Sequence, residues 1–395
     1  LTGNKSIPDY VYASKYESVK YPFGSGAGTV VSGIGNTEKY IPNRKISWEQ
    51  TAEYDFGIDI SVFNSRISFS ADYYNAESVQ LLLEQPVMTI TGYSDMYNNI
   101  GKVRNTGFEF ELSTYPVKTK GFEWNLIGHL STNKNKLIAL NSGDKEIITN
   151  GERDILWIAK VGEPSIQYYG WKRIGVWDTV EEINANPHRV GDVPGGLRLL
   201  NTDGDTRVDE NGIAIIDEND YTTLGTPFPD FIWSVTNSFK YRNFDLSFLI
   251  QGSQGGQICN GDSYYQEIRK YDKNYVKDRW LSPEHRGDGM TPYFNKGVNV
   301  WTTDYIIEDA SYAVLRNMTV GYSFNKKLCR SLGVTSLRVY GAGENLLWWM
   351  PSGYRGINPE ARYTSSDWAS PLIEGYQRGG FPSQRTFSFG LDLVF

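Results

Sequence analysis

Segments that alternate apolar and polar residues with a period of two recur along this chain, and the connections between them are short and long in strict turn. Tyr54, Phe56, Ile58, Ile60 and Val62 oppose Glu53, Asp55, Gly57, Asp59 and Ser61, the pattern of a strand with one apolar and one polar face. Ile67, Phe69, Ala71 and Tyr73 repeat it, as do Phe108, Phe110 and Leu112, then Phe122, Trp124, Leu126 and Leu130. Further on come Phe231, Trp233, Val235 and Phe239, then Phe244, Leu246, Phe248 and Ile250, then Met318, Val320, Tyr322 and Phe324, then Leu337 and Val339. The last strand sets Phe389, Leu391, Leu393 and Phe395 against Ser388, Gly390 and Asp392. Short connections fall at 64–65, 116–121, 241–243 and 325–334. Long ones run over about 81–102, 137–230, 255–311 and 348–385, far beyond the few residues usual in compact domains.

Tight turns at one end and large loops at the other describe an all-β, transmembrane antiparallel β-barrel, with the loops outside. A soluble sandwich or propeller shares the alternation but connects its strands more evenly. An aromatic load of 27 Tyr, 18 Phe and 11 Trp in 395 residues suits the girdles of a membrane wall. No run of 18 apolar residues reads as a transmembrane helix. The chain opens on the polar Leu1-Thr-Gly-Asn-Lys-Ser-Ile-Pro8, not on a leader peptide, so its start is expected to be missing. With the short turns placed on the periplasmic side, the strand at 53–62 and the final strand both descend. The strand count is then odd, about nine or eleven, the larger number if 155–161 and 167–177 form a strand pair within the long 137–230 connection. Bacterial barrels close with even numbers, so one barrel domain of which this is the C-terminal part is expected over 1–395.

The same topology puts Cys259 in an outer loop and Cys329 in an inner turn, on the order of 30 Å apart and beyond disulfide reach. A net charge of −7 argues against nucleic acid as a partner. His129, His188 and His285 are isolated, with no HExxH helix and no GxSxG elbow, and the glycines at 24–28 and 341–343 lack the helix and lysine of a phosphate loop, so no enzyme is expected. Asp59, Asp72, Glu109, Glu111 and Asp392 fall on lumen-side positions, offset in part by Arg66, Lys240 and Arg338.

An ordered set of segments carries a more specific message. Ile46-Ser-Trp-Glu-Gln50, Gly57-Ile-Asp-Ile60, Asn64-Ser-Arg66, Asp72-Tyr-Tyr74, Asn99-Ile-Gly101 and Val103-Arg-Asn-Thr-Gly-Phe-Glu109 are followed by Asn133-Lys-Asn-Lys136 and Leu224-Gly-Thr-Pro-Phe-Pro229. Then come Arg279-Trp280, Ile307-Glu-Asp309, Gly343-Glu-Asn-Leu346 and Asn358-Pro-Glu360. In this order they resemble the SusC/RagA-type TonB-dependent transporters of the Gram-negative outer membrane, over most of the chain. The resemblance implies a barrel of about twenty-two strands filled by an N-terminal plug and opened through TonB, ExbB and ExbD, with a SusD-like surface lipoprotein as a lid. It implies import of nutrients, oligosaccharides or peptides. A soluble glycan-binding module and a non-transporting adhesin or structural barrel are the alternatives.

Three sets of residues are candidates for function. Aromatic side chains crowd two outer loops, Tyr264, Tyr265, Tyr271, Tyr275, Trp280, Tyr293 and Trp301 in one, Trp348, Trp349, Tyr354 and Trp368 in the other. They suit contact with a sugar or peptide substrate, but for most of them the packing of long loops on one another or contact with a lid protein is the expectation. Asn201, Asp203, Asp205 and Asp209 space oxygen ligands as a calcium loop does, with Asp217 and Asp220 beyond, although Thr206 and Gly212 depart from the motif. Calcium is the one cofactor this suggests. Gly390, Leu393 and Phe395 mark the C-terminal strand as an assembly element.

Overall fold

The structure, a computed structural model, describes residues 12–14, 16–22, 30–36, 40–93, 95–140, 143, 145–204, 207–262, 273–293, 300–362 and 370–395. A hairpin of β1 (Tyr16–Pro22) and β2 (Val30–Asn36) comes first, then the short β3 (Tyr40–Ile41). Four long strands follow: β4 (Gln50–Val62), β5 (Ile67–Pro86), β6 (Asp95–Lys118) and β7 (Phe122–Leu140). The first large connection contains β8 (Glu146–Asn150), β9 (Leu156–Lys160), β10 (Gln167–Gly170), β11 (Arg173–Val176), β12 (Leu197–Leu199) and β13 (Thr222–Gly225). A hairpin of β14 (Phe231–Tyr241) and β15 (Phe244–Gln254) leads to a second large connection, with β16 (Gln257–Asn260) and β17 (Ile307–Asp309). Then come β18 (Tyr312–Ser323) and β19 (Ser336–Trp349), a third large connection with β20 (Tyr376–Gln377), and β21 (Thr386–Val394).

Nine strands form one antiparallel wall in the order β21-β19-β18-β15-β14-β7-β6-β5-β4, with β3 paired in parallel to the start of β6. The odd count of nine agrees with the parity of the turns. The pair expected near 155–177 does form, since β9 pairs with β10, but in a separate four-stranded sheet, β13-β10-β9-β8, and not in the wall. Its strands are four or five residues long, too short to cross a bilayer. The expected loop at 81–102 is mostly strand, because β5 runs to Pro86 and β6 begins at Asp95. With 20, 24 and 19 residues, β5, β6 and β7 are about twice the length a membrane needs. Their far ends, Leu83, Ile100, Val103, Leu137 and Leu140, are buried against Ile147, Ala159 and Leu372 of the large connections. Val103 and Leu137 stand in line with Glu109 and Ser131, so it is the polar face that turns apolar here, where it meets the large connections instead of water.

Register converts the sequence pattern into two faces. Ile58, Ala71, Phe110, Leu130 and Trp233 stand in one row across five strands. One residue along lies Asp59, Ser70, Glu111, His129, Ser234 and Gln251, a wholly polar row on the other face. A slip of one residue would exchange the two faces, so the apolar row fixes the register. Asn237, facing outward among apolar neighbours, accepts a hydrogen bond from Trp124 Nε1 at 3.0 Å. On the polar face Arg338 donates to Asp245 at 3.0 and 2.7 Å and to Asp392 at 3.0 Å, joining β19 to a strand on either side along the edge of the wall. Gly390 lies beneath the Tyr340 ring, where an added Cβ would stand 2.2 Å from Tyr340 Cζ, so the ring can lie across β21 only over a glycine. The second edges of β4 and β21 have no strand partner among the described residues.

Cys259 lies in β16 on the loop side, and Cys329 in the short helix Lys326–Ser331 on the turn side; both are buried and unbridged. Burial pushes the Cys259 thiol well above its ordinary pKa. Alkylation of the native protein should therefore leave both thiols unmodified, and alkylation after denaturation without reductant should add two adducts by mass. Recovery of no adducts after denaturation would reveal a bridge and overturn this placement of the hairpins.

Candidate functional site

The three large connections share a common core. Trp157, Tyr168, Leu197 and Leu199 of the first pack with Cys259, Val300, Tyr305 and Ile306 of the second and Ile373 and Tyr376 of the third, all nearly inaccessible to solvent. Trp157 Nε1 donates to the Glu374 carbonyl at 3.0 Å, and the Tyr168 hydroxyl donates to the Gly375 carbonyl at 2.8 Å. Burial raises the Tyr168 pKa well above the usual tyrosine value, which keeps the donor protonated. β16 completes the knot, pairing antiparallel with β17 and parallel with β20. The long loops thus form a packed cap on the wall, with its own hydrophobic interior.

One ion pair ties the second connection to the third. The Glu308 carboxylate accepts from the Arg355 backbone and from its Nε, both at 2.8 Å, and from Asn260 Nδ2 at 3.1 Å. The Glu308 side chain is 4% exposed and that of Arg355 16%. Arg355 also donates to the Tyr305 carbonyl at 2.6 Å and lies 4.5 Å over the Tyr305 ring. A cavity of about 610 Å³ opens beside this knot, lined in part by Arg173, Tyr275, Met290, Tyr305, Glu308 and Arg355. Burial raises the pKa of Asp304, which pairs with Arg173 in the same region.

A second tie descends to the polar face of the wall. Glu360 of the third connection accepts from the Tyr312 hydroxyl at 2.7 Å and from Arg316, whose other amino group donates to Asn345 at 2.7 Å. The Gln251 amide oxygen, turned toward the guanidinium, accepts from Arg316 as well. Asn358 shapes the loop for this contact, because its side chain accepts from the Glu360 backbone at 3.0 Å. The segments Ile307-Glu-Asp309 and Asn358-Pro-Glu360 were readable as family signatures, but only the fold gives Glu308 and Glu360 their partners.

Most of the described aromatic candidates are occupied in packing. Tyr275 is buried with Arg279 over its ring at 5.5 Å. Trp280 donates to Asp178 at 3.0 Å and lies against Gly195, whose carbonyl accepts from Tyr293 N at 2.8 Å. Trp301 sits beneath Arg153 at 4.5 Å. The Tyr354 hydroxyl donates to Gln377 at 3.1 Å, and burial raises its pKa. Trp348 lies 5.5 Å from Tyr312 near the Glu360 tie, whereas Trp349 is 50% exposed on the opposite face of β19. Tyr264, Tyr265, Tyr271, Trp368 and Asp205 lie outside the described residues.

The acidic segment divides in a way its spacing does not suggest. Asp209 turns onto its own loop, accepting from the Asn211 and Ile213 backbones at 2.8 Å each, and the Ile213 bond chiefly lowers its pKa. Asp203 instead gathers with Asp217 and Asp220, one oxygen of each within 4.8 Å of the others. Asp220 is fully buried and accepts from the backbones of Thr202, Asp203 and Asp217, at 2.6, 3.2 and 3.0 Å. Its place in the fold follows from those three bonds. Any calcium held here would draw on Asp203, Asp217 and Asp220 in place of Asp209.

Two measurements test these ties. Glu308→Gln leaves Arg355 buried without its counter-charge, at a local cost of about 3 kcal/mol or more. Amide protection in β16 and β20 should fall by roughly a hundredfold while that of β14 and β15 is unchanged; equal protection would remove the tie from the cap's stability. For Asp209, a folded-state pKa below the ordinary 3.8 means that its stabilisation is present above that value and is lost as pH falls through the folded pKa. Exchange of the Asn211 and Ile213 amides, corrected for intrinsic rate, should accelerate as the pH is lowered below 3.8, and Asp209→Asn should abolish that pH dependence.

Comparison with known proteins gives this architecture its family. A family model described as "TonB dependent receptor-like, beta-barrel" matches residues 9–346. TonB-dependent receptor P26 of Formosa agariphila is 31% identical over 383 residues, a match covering 93% of this chain and 37% of the relative. TonB-dependent receptor SusC of Bacteroides thetaiotaomicron is 26% identical over 414 residues, covering 100% of this chain and 37% of its own length. The chain therefore spans well under half the length of these curated relatives. A solved structure of the RagAB peptide transporter superposes over 100% of this chain and 40% of that one, with a TM-score of 0.76 at 18% identity, a likeness of fold. On the match across most of its length, the chain belongs to the TonB-dependent receptor-like β-barrel family.

Proposed function

We propose that the chain forms wall and outer cap of a TonB-dependent importer in the outer membrane of a Gram-negative bacterium, taking up oligosaccharides or peptides without modifying them. The observation that carries this reading is the pairing of the two wall faces. A continuous apolar row backs a continuous polar row from Asp59 to Gln251, the arrangement of a wall with lipid on one side and water on the other. The cap supports it, since its cavity and loop surfaces stand where a solute would arrive. In this reading an N-terminal plug and further strands complete the barrel. TonB, with ExbB and ExbD, acts through the plug, and a SusD-like lipoprotein covers the cap.

Detergent extraction of the native particle, with peptide mapping of everything that co-purifies, tests the assembly. A plug-bearing polypeptide and a surface lipoprotein are expected in the same particle. A water-soluble particle that needs no detergent would overturn the importer and favour a glycan-binding module. Growth of the source bacterium on oligosaccharides or on peptides as sole carbon source, before and after deletion of the gene, then identifies the solute by which growth is lost. Unchanged growth on both would count against import of either class.

A further inference from the structure

The tight turns carry an unusual charge. The β4–β5 turn holds Arg66; the β6–β7 turn holds Lys118 and Lys120; the β14–β15 turn holds Arg242. The helix between β18 and β19 adds Lys326, Lys327 and Arg330. All are exposed, and the segments 63–66, 115–121, 241–243 and 325–334 contain no Asp or Glu, in a chain whose net charge is −7. Among the described residues none of these cations forms an ion pair. Arg66 donates to the Tyr115 and Pro116 carbonyls, and Lys118 and Arg242 lie over Tyr115 and Tyr241. Glu123, Asp245 and Asp392 lie inside the strands, and the last two are held by Arg338.

The cap treats its cations differently. Arg189, Arg198, Arg286 and Arg355 each meet a carboxylate at 3.2 Å or less. At the turn end, by contrast, all seven cations are exposed and without an acidic partner among the described residues, which leaves them open to an anion from outside the chain. That end is also where exposed apolar side chains gather. Phe63 is 75% exposed, Tyr241 52%, Phe244 56% and Leu332 58%, directly beside the basic groups. Apolar side chains reaching into hydrocarbon with cations at the level just beyond it match the chemistry of a phospholipid interface. A soluble anion would be served by the charges but would leave the apolar collar in water.

We propose that this rim binds the phosphate-bearing headgroups of anionic phospholipids in the leaflet at the turn end, the helix Lys326–Ser331 being its strongest point. The inference rests on the reading that the wall spans a membrane. Basic groups near a membrane surface each favour anionic lipid by roughly fivefold. The test uses the full native assembly in nanodiscs of equimolar phosphatidylglycerol and phosphatidylcholine, with lipids retained on gentle release counted by native mass spectrometry. The wild-type assembly should retain phosphatidylglycerol in preference. The variant Lys326→Gln/Lys327→Gln should lose at least about fivefold of that preference, and Lys134→Gln/Lys136→Gln, the same charge change on exposed residues far along β7, should keep it. Equal loss in both variants would reduce the effect to net charge and overturn the proposal, as would retention of the two lipids in equal amounts by the wild type. Displacement of the preference by inorganic phosphate alone would assign the rim to free anions instead. Failure of the assembly to enter nanodiscs at all would refute the membrane reading, a result separate from insertion without headgroup preference.

Discussion

Backbone hydrogen bonding is the constraint from which the rest of this structure follows. In hydrocarbon an unpaired N–H or C=O costs several kcal/mol, so a chain that crosses a bilayer with strands must pair each strand with its neighbours. Nine strands here do so in unbroken sequence, from β4 to β21. Once pairing is obligatory, side chains are free to alternate, because the ladder no longer depends on them. One face can then be apolar for lipid and the other polar for water, and the connections divide into turns that must be tight and loops that need not be.

The loops could have been loose, and they are not. The extension of β5, β6 and β7 beyond membrane length gives the first connection an apolar surface to pack on, so the cap grows from the wall. Above it a core built from three connections follows the rules of a soluble domain, with buried Trp157 and Tyr168 donating to backbone carbonyls of a segment some two hundred residues away. Glu308 and Glu360 work at the two levels, one locking loop to loop and the other locking loop to wall. A wall stabilised by backbone pairing and a cap stabilised by burial and charge pairs can vary in sequence independently, and loop variation is the usual route to new recognition on a fixed scaffold.

What the sequence made legible was whatever is periodic. Alternation located the wall strands, the short turns fixed their parity, and the long connections beginning after Gln254 and Trp349 fell where strands end. The reading failed where periodicity is ambiguous or interactions are distant. Alternation over Leu81 and Leu83 looked like the start of a loop because a membrane strand had already reached its full length at that point. Spacing grouped Asp209 with Asp203, since a local motif cannot reveal that Asp220, seventeen residues after Asp203, fills the backbone donors nearby. Aromatic residues in the loops were visible as a set, but nothing local separates Tyr275, which is buried, from Trp349, which is not.

Charge placement links these observations to orientation. Inside the cap a buried cation costs desolvation, which Arg189, Arg198 and Arg355 offset with carboxylates and Arg279 by lying over the Tyr275 ring. On the polar face the Asp245–Arg338–Asp392 bridge neutralises two acids at the wall's edge. At the turn end no such demand operates, because the groups are exposed and side-chain hydration suffices; yet carboxylates are absent there while cations recur in all four turns. Stability cannot explain that asymmetry, since exposed pairs contribute little in either direction. Its explanation must lie in what the turns face, which makes the direction of the wall in its membrane a property carried by the sequence of its shortest connections.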